Sequence, residues 1–463
     1  MKDIKVARAR HSATLLRRQF LQGDAGVFDG VLDEQEVAAL VAELVEPYRE
    51  RIYPPLETLR LFVSQVLSSD RACQDVVGRR LSERLAHGQS ASALGTASYC
   101  DARGRLPLTL PKTLCALIGE RLESKAPARW RWQGRSVKLF DGTLVSMPDT
   151  PSNQNAYPQN HEQKPGLGFP LARIGALISL ASGAVLRYQV AACEGKGTGE
   201  QSLLANLLDH LTARDVVLAD ALLASWWGIE GIQRRGADVV MAQHGRRITD
   251  FTRGQRLGKH DHVAHWPRPP KPKLMNAEDY ARYPAFIVMR EVEVNGRILV
   301  TTLCDSHGVS TRALDALYKM RWNIEVDFRT IKSTLHMDVL RCKSPPMIEK
   351  EIAVCLLAYN LVRWTMAKVA SLSDVLPRAL SFTGAKGLLN TFADQLRRTP
   401  CDQIRTLITI VLASIATLQL PHRPGRIEPR AKKRRPKNLP LLTVPRQVAR
   451  EHIRAQRMLN RAT

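Results

Sequence analysis

The sequence predicts an α/β protein in which a strand-rich core is interrupted by a mostly β insertion and flanked by helical regions at both ends. Helical spacing of apolar residues dominates the first 128 residues. Strand-like runs that alternate with helices begin near residue 130, and long apolar helices return after residue 310. We therefore expect a helical N-terminal domain (1–128), a core in two parts (129–243 and 311–372), a basic β-rich insertion (244–310) and a helical C-terminal region with a basic tail (373–463).

The N-terminal domain is expected to consist of short helices. Residues 33–45 have helical spacing after an acidic first turn, and residues 55–67 have it with a proline near the start. Helices with interspersed arginines are typical of helix-turn-helix DNA readers and equally of plain helical bundles. The pattern does not identify a recognition helix, and we assign no chemistry to residues 97–107.

The core begins with three strands. Residues 135–148 are rich in β-formers and carry Asp141, and residues 171–180 and 184–191 are two further strands joined by a turn at Ser182 and Gly183. A helix (200–211), a short buried strand ending at Asp220 (215–220), a helix (225–234) and another strand (237–242) follow. Three meandering strands and then alternating β and α elements are the order of a ribonuclease-H-like domain.

The insertion is predicted from its charge and its turn residues. Residues 244–275 are basic and proline-interrupted, and residues 285–303 alternate as a β-hairpin with Asn295 and Gly296 as a type I′ turn. The histidines at 260, 262 and 265 lack a second pair of metal ligands, so a zinc site is not favoured.

The overall charge indicates a polyanionic partner. The chain of 463 residues has a formal net charge of +24, and its last 43 residues hold 13 basic and 2 acidic side chains. Residues 422–437 are expected to be an extended basic tail that binds phosphates, and residues 444–459 a terminal basic helix. Nucleic acid is preferred over an anionic membrane surface, because the most apolar runs are interrupted by charges (352–372) or too short to span a bilayer (407–418).

The N-terminal sequence and the distribution of cysteines indicate the cellular compartment in which the protein is expected. No apolar segment follows the basic N-terminus, so no signal peptide is expected. The eight cysteines are scattered without a C-x2-C pair, which favours a reducing cytoplasm over a disulfide framework.

The stretch 317–335 carries the most informative pattern. On a helix, Tyr318, Arg321, Glu325 and Lys332 would share one narrow face. Beside that face lies an apolar stripe of Leu317, Ile324, Phe328, Ile331 and Leu335. A carboxylate between two cations suits metal-assisted chemistry on a phosphodiester, whereas the plain alternative is an Arg321–Glu325 salt bridge on a solvated helix.

The spacing Tyr-x2-Arg-x3-Glu-x6-Lys, together with Asp-Gly-Thr at Asp141 and the strand-end Asp220, resembles the insertion-sequence-4 family of DDE transposases over residues 60–440. The resemblance implies that Asp141, Asp220 and Glu325 are the catalytic, metal-binding triad. Each has a plain alternative: Asp141 as a turn residue at a strand end, and Asp220 as a helix N-cap. Asp149 is read as turn chemistry.

The family also implies the ligands and partners. Two Mg²⁺ ions per site are expected, with Mn²⁺ as a substitute, and double-stranded DNA (element ends and target) bound by a homodimer, with no membrane. Tyr318, Arg321 and Lys332 would contact phosphates. Trp322 would probe an end base or else pack in the core, and Arg246 and Arg247 would contact DNA or lie in a solvated loop.

The function implied is a DNA transposase of the bacterial cytoplasm and nucleoid that cleaves DNA at its element ends and joins the 3′ ends to target DNA. The alternatives are a related nuclease without strand transfer, a catalytically silent DNA-binding descendant, and a basic membrane-surface protein. The hairpin 291–303 has no aromatic residue, so a DNA hairpin intermediate is less firmly expected than strand cleavage.

Overall fold

The computed structural model describes residues 32–421, except residues 50, 87, 89, 91–93 and 274, together with residues 5–7, 10–12, 14 and 441–462. The basic tail expected at 422–437 lies outside the described residues.

The N-terminal region is helical, as predicted. Its five helices between residues 34 and 124 are α1 (Glu34–Leu44), α2 (Pro55–Leu67), α3 (Cys73–Ala86), α4 (Ala97–Arg105) and α5 (Thr109–Ser124). Asp33 caps α1 by accepting hydrogen bonds from the Gln35 and Glu36 amides, and Pro55 starts α2. Buried Arg60 on α2 pairs with Glu57 and with Glu83 of α3, which fixes the two helices together.

A nine-stranded mixed sheet forms the centre of the molecule. Its strands are β1 (Val137–Ser146), β2 (Leu171–Ser179), β3 (Val185–Ala192), β4 (Val216–Ala219), β5 (Asp238–Ala242), β6 (Gln255–Gly258), β7 (Asp261–Pro267), β8 (Phe286–Val294) and β9 (Arg297–Thr301). The order across the sheet is β3-β2-β1-β4-β5-β9-β8-β7-β6. The neighbours of β1 are antiparallel β2 and parallel β4, and β4 in turn pairs in parallel with β5. All strands predicted between residues 135 and 242 are present.

The insertion continues the core sheet. Its last strand, β9, pairs antiparallel with β5, and β8, β7 and β6 extend the sheet outward. The predicted hairpin turn is confirmed, because both Asn295 (φ 52°) and Gly296 (φ 72°) have the positive φ values of a type I′ turn. Within the basic, proline-interrupted segment 244–275, the two strands β6 and β7 are present.

Helices cover both faces of the sheet. One face is covered by α6 (Pro151–Ala156) and the helices between residues 310 and 417, and the other by α7 (Glu200–Ala205), α8 (Trp226–Gln233) and the neighbouring α9 (Ala277–Ala281). The helix predicted at 200–211 is wrong in length: α7 ends at Ala205 and a 3₁₀ turn follows at Leu208–His210.

The helix that carries the transposase-like motif has three kinds of turn. After α10 (Thr311–Lys319) come a 3₁₀ turn (Met320–Trp322), α11 (Asn323–Arg329) and a π-helical turn (Thr330–Thr334). The predicted apolar stripe is confirmed, since its five residues are at most 6% exposed.

The C-terminal helices are α12 (Pro345–Ser371), α13 (Phe382–Arg398), α14 (Cys401–Thr417) and α15 (Arg446–Ala462). Pro345 and Pro346 form the first turn of α12 and do not end the preceding element, because proline fits the first turn of a helix. Among the described residues, α12 alone is long and apolar enough to cross a membrane, and its apolar window is entirely buried inside the fold.

The polar residues that interrupt the apolar run of α12 make specific contacts inside the fold. Asn360 is fully buried and its side-chain amide bonds to both the N–H and the C=O of Val185, and also to the Cys115 carbonyl. These bonds tie α12 to the start of β3 and to α5. Burying an amide is favourable only when such partners are present.

Candidate active site

Asp141 lies in the middle of β1, where the sheet forks. The parallel pairing of β1 with β4 ends at Leu139 and Leu218, so Asp141 and Asp220 each follow the last paired residue of neighbouring strands by two positions, and Asp220 is near enough to act on the charge of Asp141. Asp141 Oδ1 accepts a hydrogen bond of 2.7 Å from the Gly142 amide. The alternative of a strand-end turn residue is excluded, because β1 continues to Ser146.

Glu325 faces Asp141 across a cleft of about 330 Å³. The cleft is lined by Asp141, Gly142 and Thr143 of β1 and by Glu325, Phe328, Arg329, Lys332 and Ser333 of the helix. Both carboxylates are partly exposed, with 20% of the Asp141 side chain and 31% of the Glu325 side chain accessible. Asp141 of β1 and Glu325 of the motif helix, both predicted from the sequence, therefore lie on opposite walls of one cleft.

Arg321 bridges the two carboxylates. Its Nη2 donates to Glu325 Oε1 at 2.9 Å, and its Nη1 is 3.9 Å from Asp141 Oδ2. The Arg321–Glu325 salt bridge, which is the plain alternative to a catalytic site, is thus present. It lies at the cleft, however, and Arg321 also approaches Asp141 of β1.

Asp220 follows β4 directly and caps the 3₁₀ turn Ala221–Leu223. Its Oδ1 accepts hydrogen bonds from the Leu222 and Leu223 amides at 3.0 and 3.3 Å. The N-cap alternative is therefore realised. Both of these bonds use one carboxylate oxygen, so capping is compatible with a second role for the side chain.

The local electrostatics disfavour a charged Asp141. Burial raises the pKa of the Asp141 carboxyl to about 6, and the carboxylates of Glu200 and Asp220 add to the rise, whereas the Gly142 amide and Arg321 act in the opposite direction. A carboxylate whose own surroundings penalise its charge is stabilised when a cation binds to it.

The donor set fits a hard divalent cation, because Asp141, Asp220 and Glu325 offer only carboxylate oxygens. The arrangement is nevertheless open: within the described part of the chain, no three acidic, histidine or cysteine side chains are clustered closely enough to hold an ion together. The guanidinium of Arg321 lies between two of the three acids. Its contacts use one oxygen of each carboxylate, so the second oxygens of Glu325 and Asp141 are not engaged by Arg321.

Lys332 and Tyr318 are placed differently from each other. Lys332 lines the cleft, and its Nζ is 3.4 Å from Thr143 Oγ1. Tyr318, in contrast, is 8% exposed, belongs to the hydrophobic core and has Arg297 over its ring at 5.5 Å.

Trp322 is half exposed (50%), which excludes the core-packing alternative for it. Arg246 is exposed in the loop after β5. Arg247, in contrast, bonds at 3.0 Å to the buried carboxylate of Glu291 and stacks 3.6 Å from the ring centroid of Trp266. Neither arginine lines the cleft, so their predicted contact with DNA stays a prediction. In the structure, Arg247 instead contacts Glu291 and Trp266 within the insertion.

Glu200 is a fourth acid beside the site, and the sequence reasoning missed it. It starts α7, pairs with Arg173 at 3.1 Å and fills the space next to Gly142, where an added Cβ would lie 2.5 Å from its Oε1. The space beside Gly142 on that face of the strand is therefore occupied by the Glu200 side chain. No local pattern marks Glu200, because its position depends on how α7 packs against the sheet.

A buried ionic cluster holds the helix from behind. Asp327, two residues after Glu325, is fully buried and pairs with Arg363 of α12 at 2.7 Å and with Arg378 at 2.9 Å. Tyr359 donates to the same carboxylate at 3.0 Å, and Arg378 also donates to the Ser179 carbonyl at the end of β2. The wall that carries Glu325 is thereby tied to both the long core helix and the sheet.

Comparison with known proteins places this site in a family. The Transposase DDE domain matches residues 132–361, which include β1, β4 and the motif helix. The chain is 29% identical over 326 residues (67% of this chain and 70% of the relative) to the transposase InsG for insertion sequence element IS4 of Escherichia coli strain K12. The transposase for insertion sequence element IS421 of Escherichia coli is 35% identical over 71 residues, 15% of this chain and 19% of that protein.

A solved structure of the piggyBac transposase synaptic complex with hairpin DNA is also similar, with a TM-score of 0.42, 11% identity and coverage of 90% of this chain and 87% of that chain. The family uses divalent metal ions and acts on DNA. The IS4 relative is similar across two thirds of both chains, and the matched domain spans the strands and the helix of the cleft. The protein therefore belongs to the insertion-sequence-4 family of DDE transposases.

Proposed function

We propose that Asp141, Asp220 and Glu325 are the metal-binding triad with which this transposase cleaves DNA at the ends of its own element and joins the freed 3′ ends to target DNA. The observation that carries the proposal is the cleft itself, in which acids from a central strand and from the motif helix face each other and share one arginine. Rigid elements of this kind are suited to hold metal ligands.

The cofactor proposed is Mg²⁺, two ions per site, with Mn²⁺ as a substitute. Bound there, the ions would activate a water molecule or a 3′-hydroxyl and stabilise the leaving oxygen of the phosphodiester. Asp141, Asp220 and Glu325 would supply carboxylate ligands, and the raised pKa of Asp141 means that it must lose its proton to do so.

Arg321 and Lys332 are proposed to hold the phosphates on either side of the cleaved bond. Arg321 can turn its planar guanidinium from the carboxylates toward a phosphate, to which it can donate two parallel hydrogen bonds. The exposed ring of Trp322, directly after Arg321, is proposed to contact the end base. A phosphate contact by Tyr318 stays a prediction that its burial does not support.

For the whole chain, we propose a helical DNA-binding domain (1–128), a ribonuclease-H-like core (129–243 and 311–372) and a basic insertion (244–310), followed by the helical C-terminal region (373–463). The order of the five core strands supports the fold proposed for the core. Two element ends must be cut in concert, so a homodimer on DNA is proposed, acting on the bacterial chromosome in the cytoplasm.

The test uses purified full-length protein, Mg²⁺ or Mn²⁺ and labelled duplexes from both flanks of its own gene. We expect 3′ nicks at defined positions that are lost in Glu325→Gln and in Asp141→Asn. Asp149→Asn is the matched control, because Asp149 is exposed in a turn after β1 and bonds only to Gln154 within the described contacts. Nicks that survive Glu325→Gln would refute the assignment of the third carboxylate.

The same experiment separates the alternatives. Nicked DNA without joined product in the presence of target duplex would favour a nuclease without strand transfer. Binding without nicks in any variant would favour a silent DNA-binding descendant of a transposase.

A further inference from the structure

The last described helix, α15, carries a stripe of arginines. Arg446, Arg450, Arg454 and Arg457 are spaced by 4, 4 and 3 residues, so at about 100° per residue they fall within an arc of about 80°. All four side chains are exposed. Along the axis the stripe is about 16 Å long, at 1.5 Å per residue.

The stripe is not neutralised by the rest of the protein. Glu451 is the single acidic residue between 441 and 462, and it falls about 60° outside the arc. Within the residues that the structure describes, no salt bridge to any of the four guanidiniums is present. Four exposed like charges on one face destabilise an isolated helix, which makes a bound polyanion the natural compensation.

The base of α15 is anchored near the catalytic sheet. A Cβ atom added to Gly166, in the connection between α6 and β2, would lie 3.1 Å from Cβ of Pro445, the residue directly before α15. The side chains of the helix itself are exposed along residues 450–458. The start of the helix therefore lies beside the β1–β2 connection, and its arginines are exposed to solvent.

We propose that the arginine stripe of α15 is a DNA-binding surface distinct from the cleft, and that it holds the phosphate backbone of duplex DNA irrespective of sequence. Arginine is suited to phosphate because its fork donates two parallel hydrogen bonds. Phosphate contacts orient a protein on DNA but carry no base information. The inference rests on the DNA partner of the family and not on the assignment of the three carboxylates.

The charge of the stripe gives a quantitative expectation. Each phosphate neutralised changes the slope of log K against log salt by about −0.9, so four contacts contribute about −3.6. Between 50 and 200 mM salt, four such contacts account for a loss of affinity of about 100-fold. Removal of the charges should therefore flatten the salt dependence as well as weaken binding.

The experiment compares full-length wild type with two quadruple variants at positions 446, 450, 454 and 457, one with all four arginines changed to Gln and one with all four changed to Lys. Binding to two unrelated 30-base-pair duplexes is measured by fluorescence anisotropy in EDTA at several salt concentrations. Because EDTA prevents cleavage, the result is independent of the catalytic proposal, which is tested separately by nicking in Mg²⁺.

We expect the Gln variant to lose about 3 to 4 from the magnitude of the salt slope on both duplexes, and the Lys variant to retain the slope. Circular dichroism checks that helicity is kept, since Gln, Lys and Arg have similar helix propensities. An unchanged slope in the Gln variant overturns the proposal.

Three other results would also overturn it. A loss on one duplex only would mean sequence reading by this helix. A change from dimer to monomer in the Gln variant, measured by light scattering without DNA, would mean that the helix serves an interface between copies. Tighter binding of wild type to phosphatidylserine vesicles than to DNA, lost in the Gln variant, would assign the stripe to a membrane surface.

Discussion

At the level of single residues, Asp141 shows how the site is prepared for a cation. Its carboxyl lies in a strand between apolar neighbours, and in the absence of a cation its charge is opposed by burial, by Glu200 and by Asp220. The same features that destabilise the ionised carboxylate increase the free energy that is released when a cation binds to it. Proteins commonly accept such a cost in stability at a functional site.

This cost predicts the effect of Asp141→Asn. The folded-state pKa of about 6 lies above the ordinary aspartate pKa of 3.8, so ionisation of Asp141 opposes folding. The penalty is absent below about pH 4, grows as the pH rises and is complete above about pH 6. We expect Asp141→Asn to raise the unfolding free energy by about 1–3 kcal/mol at pH 8 in EDTA, with the gain shrinking toward pH 4. Urea unfolding at several pH values measures it, and a pH-independent effect would contradict it.

Gly142 predicts a second effect next to the same acid. Gly142→Ala should destabilise the fold by about 1–3 kcal/mol, because the added Cβ would lie 2.5 Å from Glu200 Oε1 and 2.6 Å from its Cγ. The double variant with Glu200→Ala should recover much of the loss. Gly104→Ala is the control: no atom lies within 4 Å of its added Cβ in α4, so about 0.5–1 kcal/mol of stabilisation is expected.

Glu325 and Lys332 could be predicted to line one wall because the motif fixes their spacing on one helix. The expectation that Asp141 and Asp220 belong to one site comes from the family resemblance, because the strand pattern alone does not show which strands are neighbours. Glu200 could not be predicted, because its approach to Gly142 arises from helix–sheet packing and not from any neighbour in sequence. Burial of Trp266 and the internal contacts of Arg247 depend on pairing between distant strands in the same way.

At the level of elements, the motif helix departs from the regular helix that the sequence predicts. Its 3₁₀ and π turns change the rotation between Tyr318 and Arg321 and again near Lys332. Neither turn has a glycine or proline that would reveal it, since residues 317–335 contain none. Between the two turns, Asp327 ties the helix to Arg363 of α12 and to Arg378, and π-helical turns are frequent at functional sites.

Asp327→Ala tests this support. It leaves Arg363 and Arg378 without their shared carboxylate in a buried site, so we expect a loss of about 3–5 kcal/mol in unfolding free energy. Asp315→Asn on α10 is the matched control, because its i,i+4 partner Lys319 is 66% exposed and such a pair contributes about 0.3–0.5 kcal/mol, while the substituted amide can still accept the hydrogen bond from Asn295. Chemical unfolding of both variants gives the comparison, and equal effects would show that the buried cluster does not hold the helix.

At the level of the whole molecule, the insertion is integral to the fold. The sequence predicts its β content and its hairpin from local turn chemistry, but it does not predict that β9 pairs with β5, since strand pairing over that separation leaves no local pattern. Trp266, Ile287 and Met289 of the insertion pack in the same hydrophobic cluster as Val239 and Met241 of β5. The insertion and the core therefore share one sheet and one hydrophobic layer.

The insertion also reaches the motif helix through a buried ion pair. Asp261 of β7 pairs with Arg290 of β8, whose other guanidinium nitrogen donates to the Val309 carbonyl, and Thr311 at the start of α10 donates to Asp261. Asp261→Ala removes the acid and leaves buried Arg290 unpaired. The strands of the insertion and the helix that leads into the cleft should then loosen together.

Hydrogen exchange measured by mass spectrometry tests this coupling. We expect Asp261→Ala to increase exchange by about 10-fold or more in peptides from both β8 and α10, because a local loss of about 1.4 kcal/mol corresponds to tenfold in opening. Asp250→Asn in the same insertion is the control, since its pair with Arg253 is exposed and should leave both peptides unchanged. Faster exchange in β8 with α10 unaffected would mean that the insertion moves independently of the catalytic helix.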